Sequence, residues 1–480
     1  MSGFLPNRRL RILLTNYSLR DPCGSELYIL DLAQELLLRG HFPIVFSPAL
    51  GAVAERIRGN GIPVVDTLSA IGEAPDIIHG QHHLTVLAAL LYFPKVPAIL
   101  VCHGWLPWWE TPVQFPRILQ YVAVDEACRE RLVSERGISG DKVTTILNFA
   151  DLRRFQPREG LLPNIPKKAL LFSNYATEAG STKVLQQICS QLGIALEVRG
   201  LACGDAFDHP ENHLSNYDLI FAKGRAAIEA LVSGAAVIPY HNGYFGPLVK
   251  MNNLDFLRQR NFGITIARIP LSLNALQNEI EKYSSTDSAF VTASMRKTAT
   301  LERAANEFLE LYNQTLQEWL PGSYDSTATE GDALSQYLSF LSLEYLGVET
   351  RRQKFAVGEY EYESLVKIHK DAIIQIENLN AQIDKLNDSS EISGEAFRSL
   401  QDRLFNLSNN AQSQLHQLKV ESLELHLQLS QIQQSFTIGF RNLLSRLPFF
   451  HALTKLLKAL LGFKPSTALP SDRLTERVSQ

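Results

Sequence analysis

One unit repeats along the first half of the chain: a short apolar run, a cluster of turn residues, then a stretch with helical spacing. RLRILLTNY suits a strand buried on both faces, which reads as a continuous apolar run rather than an alternating one. After the turn residues DPCGS comes ELYILDLAQELLLRGH, in which Leu27, Leu30, Ala33, Leu36 and Leu37 follow helical spacing and Gly40 closes the helix. FPIVFSP, AVAERIRGNG and IPVVD repeat strand, helix and strand. DIIHG, AILVCHG and VAVDE continue the series, and VAVDE runs into the helix ACRERLVSERG and the strand VTTILN. Strands alternating with crossover helices predict an α/β fold with parallel sheets, whose ligands lie beyond the carboxyl ends of the strands. The loops of interest are therefore Tyr17 to Glu26, His79 to His83, His103 to Glu110 and Asn148 to Asp151.

A second α/β run starts after the polar, proline-bearing segment Gln156 to Lys168. ALLFSNY, the helix TKVLQQICSQLG, IALEVRG, YDLIFAKG and AAVIPY make it up. Two domains, expected over 1–157 and 165–322, then face each other across a cleft suited to a two-substrate transfer reaction. The 480 residues allow roughly three domain-sized pieces. A net charge of −4 gives no reason to expect nucleic acid. Five scattered cysteines without a CxxC pair argue for reduced thiols in a cytosolic compartment, with no disulfide and no structural zinc. The apolar run Ile12 to Leu14 is too short for a signal peptide, and no segment is long and clean enough to span a bilayer.

In FAKGRAAIEALVSGAAVIPY, Lys223, Gly224 and Arg225 stand on the bend between a strand and a helix, with Glu229 one turn into that helix. Cations at a helix N-terminus favour an anionic group such as phosphate; a solvated loop with one helix carboxylate is the plainer reading. His79, His82 and His83 could form a metal set, but a polar loop at a strand end fits them better. His103 reads as either a functional or a satisfied loop histidine. Trp105, Trp108 and Trp109 could stack on a sugar or lipid acceptor or pack in the core. Glu110 and Asp125 have no partner visible in the sequence. Neither a G-x-S-x-G elbow nor a P-loop is present.

These stretches together resemble glycosyltransferase family 4, over about the first 320 residues. CGSELYILDLAQELLLRGH is similar to the family's GG-x-E loop and helix, PDIIHGQH to its PD-x-x-H-x-H strand end, and VCHGW to its HG loop. VAVDEACRERLVSERGISGDKVTTILNFADLRRFQP resembles its VSE helix and I-P-N-G-V-D-x-x-x-F segment. The resemblance implies the GT-B fold of two facing Rossmann-like domains. The first would be the acceptor side and the second would bind the nucleotide sugar. It also implies a retaining glycosyltransferase that needs no cofactor and no metal, moving a sugar to a glycan or lipid-linked acceptor in cell-surface polysaccharide or glycan biosynthesis. Glu229 matches the second glutamate of the E-x7-E pattern and would accept hydrogen bonds from the donor's ribose. Gly24 and Ser25 would bring N–H groups to its diphosphate, and His103 would sit near the transferred sugar. The departures are as plain. Phe221 replaces the first glutamate, Cys23 the first glycine, and Asn148-Phe149 the NG dipeptide. Tyr175 and Ala179 stand where the family has the Arg and Lys that grip the diphosphate, so Lys223 and Arg225 would supply the missing charge. The competing reading is a pseudoenzyme that keeps the fold and acts as a scaffold at the membrane surface.

TLERAANEFLELYNQTL is similar to the family's closing helices, and 323–359 is read as linker. Leu365, Ala372, Ile376, Leu379, Ile383 and Leu386 recur at near-heptad steps and resume beyond a break at Asn387 to Gly394. They predict a coiled coil over 360–435 that makes a homo-oligomer. FTIGFRNLLSRLPFFHALTKLLKALLGFK has five cations and no acid, predicting over 436–464 a basic amphipathic helix for an anionic membrane surface. Residues 465–480 read as a disordered tail. A cytoplasmic protein peripheral to the inner face of the membrane is the expected location.

Overall fold

The computed structural model describes residues 8–105, 107–177, 180–319 and 329–342. The apolar runs of the first unit become seven strands: β1 Arg11–Thr15, β2 Phe42–Phe46, β3 Val64–Val65, β4 Ile77–Gln81, β5 Ala98–Cys102, β6 Ile118–Ala123 and β7 Val143–Thr145. All pair in parallel, in the order β3-β2-β1-β4-β5-β6-β7. Every residue of β4 and β5 is buried, as a sheet with both faces covered requires. The strand order reverses between β1 and β4, leaving a crevice at their carboxyl ends.

Helices α1 Gly24–Leu38, α2 Ala52–Gly59, α3 His83–Tyr92 and α4 Glu126–Arg136 cover this sheet. Asp125, without a visible partner in the sequence, is the N-cap of α4: its carboxylate accepts the Cys128 N–H at 2.8 Å. Gly137 ends that helix in the left-handed conformation. The α1 stripe expected from spacing is too narrow. Leu37 is exposed, whereas Glu26, Asp31 and Glu35 are buried, because neighbours enclose the helix on more than one side.

The second sheet contains β8 Lys168–Phe172, β9 Ala195–Arg199, β10 Leu219–Ala222 and β11 Ala236–His241 in parallel, with β12 Tyr244–Phe245 and β13 Ile269–Pro270 added antiparallel at one edge. Its order is β13-β12-β11-β10-β8-β9. Helices α5 Ser181–Gln191, α6 Arg225–Val232, α7 Leu254–Gln259, α8 Leu273–Ile280 and α9 Ser285–Thr298 accompany it. Phe221 lies within β10, fully buried against Tyr240, so the position of the family's first glutamate is core here.

The chain crosses between the units twice, and the crossings pair: Ala150 N–H donates to Ala299 O and Leu301 N–H to Ala150 O. Helix α10 Leu301–Glu318, expected with the second domain, packs on the first. Its Leu301, Ala304, Ala305, Phe308, Leu311 and Tyr312 follow helical spacing and join the core of the first sheet. Residues 329–342, inside the expected linker, are helical, and Tyr337 and Leu341 enter that same core. No helix among the described residues is long and apolar enough to cross a membrane. The expected coiled coil over 360–435, the basic helix over 436–464 and the tail over 465–480 lie outside the described residues.

Candidate functional site

Strands β1, β4 and β5 end side by side at the order reversal and present Tyr17, His82 and His103 there. His82 takes φ +61°, a left-handed conformation uncommon for a residue with a side chain, and so turns the chain directly into α3. Its Nδ1 accepts the Tyr17 N–H at 3.2 Å, which puts the ring proton on Nε2, 3.3 Å from Glu110 Oε1. That second contact is electrostatic rather than a well-aligned hydrogen bond. Glu110 Oε2 accepts the His103 N–H at 2.9 Å. Burial by itself would raise the Glu110 pKa; the His82 imidazole, then His103, outweigh it and hold the carboxyl below its ordinary value. Glu110, like Asp125 silent in the sequence, thus joins two loops.

His103 Nε2 is buried and makes no hydrogen bond. Burial first, opposed by Glu110 and reinforced by His82 and Arg225, lowers its pKa to about 4, so the ring is neutral at pH 7. The ring lies edge-on to Tyr28, with centroids 4.5 Å apart, and the Tyr28 hydroxyl is likewise buried without a partner. Phe149 packs against Tyr28 at 4.8 Å and supports the guanidinium of Arg225 at 5.8 Å. This is what the phenylalanine of Asn148-Phe149 does.

Arg225 is 9% exposed and ties the units together. Its Nε donates to Glu229 Oε1 at 2.7 Å, one helical turn along α6, and its Nη2 donates to Asp31 Oδ2 on α1. Asp31, fully buried, also accepts from Arg154 Nη1 at 2.8 Å, and Arg154 reaches Glu211 at 3.1 Å. Arg225 Nη1 is buried with no partner. Burial raises the Glu229 pKa, and the opposing pull of Arg225 does not fully offset it. Gly224, preceding α6, has φ +58°, which glycine alone adopts without strain.

Lys223 stands apart from that group. Its Nζ donates to His241 Nδ1 at 2.9 Å and lies 5.0 Å from the centre of the Tyr175 ring. Burial brings its pKa down to about 8, and burial together with Lys223 lowers His241 to about 4. Tyr175, at the position of the family's arginine, therefore stacks on a cation rather than carrying one. Ala179 lies outside the described residues.

Gly24 and Ser25 open α1. A Cβ at Gly24 would meet nothing within 4 Å, and the Ser25 hydroxyl donates to Glu26 at 2.8 Å. Asn174 of the second unit reaches across to the carbonyl of Pro22 at 3.3 Å. Asp31 follows two turns deeper, about 10 Å along the helix. The candidate residues thus meet in one interdomain zone, His103 and Arg225 through Tyr28 and Phe149, and Gly24 through α1. Lys223 is linked to it through the half-exposed Tyr175, whose charge environment includes Cys23 and Glu26 at the start of α1.

The three histidines do not converge. His79 Nδ1 lies 2.6 Å from the Tyr312 hydroxyl, His82 faces Glu110, and His83 meets Tyr337 at 3.4 Å. Among the described residues no three His, Cys, Asp or Glu side chains group as metal ligands. Of the tryptophans, Trp109 stacks on Tyr17 at 5.6 Å and Trp108 packs edge-on against His83 at 4.6 Å. Trp105 is exposed, and all five cysteines are free. A cavity of about 720 Å³ lies elsewhere on the second unit, lined by Lys168, Glu197, Arg199, Phe207 and His213 among others and by none of the candidate residues.

Residues 22–154 match the model of Glycosyltransferase Family 4, less than a third of the chain. No curated protein matches. Among solved structures the chain is similar to a glycosyltransferase from Rickettsia africae ESF-5, at 15% identity over 65% of this chain and 100% of that one, with a TM-score of 0.44. It is also similar to the lipopolysaccharide outer core galactosyltransferase WaaB in its apo form, at 11% identity over 65% of this chain and 100% of that one, TM-score 0.40. A third is S. aureus MnaA in a co-structure with UDP, at 12% identity over 66% of this chain and 100% of that one, TM-score 0.38. These likenesses assign neither donor nor acceptor.

Proposed function

We propose that the chain is a glycosyltransferase that takes a nucleotide-sugar donor in the interdomain zone and passes the sugar to an acceptor held against the first unit. The observation that supports this most is where the family-4 match falls. Residues 22–154 begin with the loop and helix α1, and α1 is the element whose start and whose Asp31 meet Asn174 and Arg225 of the second unit. A scaffold would not need buried, partnerless polar atoms such as His103 Nε2, Tyr28 Oη and Arg225 Nη1 in one place, since each costs about 1 to 3 kcal/mol when nothing satisfies it.

In this reading Glu229 receives the ribose hydroxyls. Arg225 holds Glu229 Oε1 and offers Nη1 toward the diphosphate, Lys223 adds a second cation, and Gly24 and Ser25 contribute N–H groups. His103 presents a neutral imidazole beside the transferred sugar. Retention of configuration, a glycan or lipid-linked acceptor, a role in cell-surface polysaccharide assembly, independence of cofactor and metal, and self-association at the inner face of a membrane belong to the same proposal. Donor hydrolysis across UDP-, GDP- and TDP-sugars tests it, with calorimetry of the matching nucleoside diphosphates. Turnover of one donor class, weakened by Glu229→Gln, supports it; no turnover and no diphosphate binding would shift the reading to the scaffold.

A further inference from the structure

Arg117 is the largest side chain of the described residues that is fully buried. Its guanidinium donates to the carbonyls of Leu90, Phe93 and Val96 at 2.5 to 2.9 Å, the first two at the C-terminal end of α3, where exposed carbonyls favour a cation. The same guanidinium grips Glu330 at 2.7 and 3.1 Å, the bidentate geometry that makes Arg–carboxylate pairs strong. Two turns further along the 329–342 helix, Tyr337 meets the opposite end of α3. Its hydroxyl is 3.4 Å from His83 Nδ1 and its ring stands edge-on to the His83 ring at 5.7 Å. The helix therefore holds α3 at both ends.

From His83 the contacts continue. Its ring packs edge-on against Trp108, the first residue of the single turn Trp108–Glu110. That turn carries Glu110, which joins His82 to the backbone of His103. Arg131 holds the loop before the turn, donating to Gly104 O at 2.9 Å and Pro107 O at 3.0 Å, and His83 and Trp108 brace the turn itself. We propose that the 329–342 helix is a positioning element for the His82–Glu110–His103 group, acting through Tyr337, His83 and Trp108. The placement stands on geometry alone; its consequence for sugar transfer rests on the function proposed above.

The test uses the full chain with its histidines labelled at 13Cε1 and assigned through single His→Gln variants. In Tyr337→Ala the signals of His82, His83 and His103 should all move by more than a line width, while those of His209 and His213 in the second unit stay. Tyr337→Phe keeps the ring and loses the long hydroxyl contact to His83, so His83 alone should move and the other two should stay at their wild-type positions. Glu330→Gln, near the solvent-facing rim, should move the same three signals by less, and decides the matter if Tyr337→Ala does not fold. The proposal is overturned if folded Tyr337→Ala, or Glu330→Gln where that variant does not fold, shifts His83 but not His82 or His103, or shifts His209 and His213 equally. None of these signals requires turnover, so an inactive protein would refute the transfer reading and leave this one standing.

Discussion

Arg225→Ala should cost stability in a way that pH reveals. The guanidinium lies between two buried carboxylates, Glu229 and Asp31. Asp31 keeps Arg154 at 2.8 Å, whereas Glu229, 4% exposed, loses its principal counter-charge. Removing one partner of a buried pair costs roughly 3 to 5 kcal/mol because the other charge is stranded. At about 2 to 4 °C per kcal/mol for units of this size, the apparent melting midpoint should fall by about 6 to 20 °C at pH 7.5. The sign of the pH effect follows from Glu229. Its folded pKa is already above the ordinary value of 4.5, so this carboxyl favours folding when protonated and opposes it as pH rises through the folded pKa. Without Arg225 that pKa rises further, so the deficit of the variant against wild type should shrink as pH falls from 7.5 toward 5. Differential scanning fluorimetry on both proteins over this range measures it. A deficit that does not change with pH would refute the stranded-carboxylate reasoning, and a fall of less than 2 °C would refute the pair itself.

Glu229→Gln should weaken nucleoside and nucleoside diphosphate alike by roughly 1 to 3 kcal/mol, read by calorimetry. Folded Arg225→Ala should also weaken both, because this arginine holds Glu229 as well as facing phosphate. Diphosphate affinity should drop by about tenfold or more as pH rises from 7 to 9 with a midpoint near 8, where Lys223 loses its proton, since His241 is already neutral; Lys223→Arg should remove that midpoint. Gly24→Ala should leave the melting midpoint unchanged, because the space around it is open, yet impair diphosphate binding. Gly224→Ala should lower stability by about 1 to 2 kcal/mol through backbone strain at φ +58°, since its Cβ would meet nothing closer than 3.7 Å.

What the sequence made legible was local in period. The strands RILLT, IIHGQ and AILVC and the helix α1 follow from runs and spacings within a few residues, and so does their placement in parallel layers. Glu229 and Arg225 were legible as neighbours because one helical turn separates them. What stayed hidden depends on chain segments far apart. Asp31 meets Arg225 across 194 positions, and Arg117 meets Glu330 across 213. No spacing rule spans such separations, and α10 and the 329–342 helix return to the first sheet for the same reason: their apolar faces are readable, but not which core they enter. Phe149 was read as a loss of the family's glycine, and its use as support for Arg225 needs two domains in place. A signal for Asp31 was nonetheless present. In LYILDLAQ a single acid interrupts an apolar stretch of helix, and a carboxylate enclosed on that helix needs a cation or a hydrogen-bond donor to remain charged. The buried arginine that meets it could only come from outside the helix, so Asp31, midway along α1, marks where the second unit docks. By the same logic Arg117, alone in FPRILQYVA at the edge of a buried strand, marks where the 329–342 helix returns.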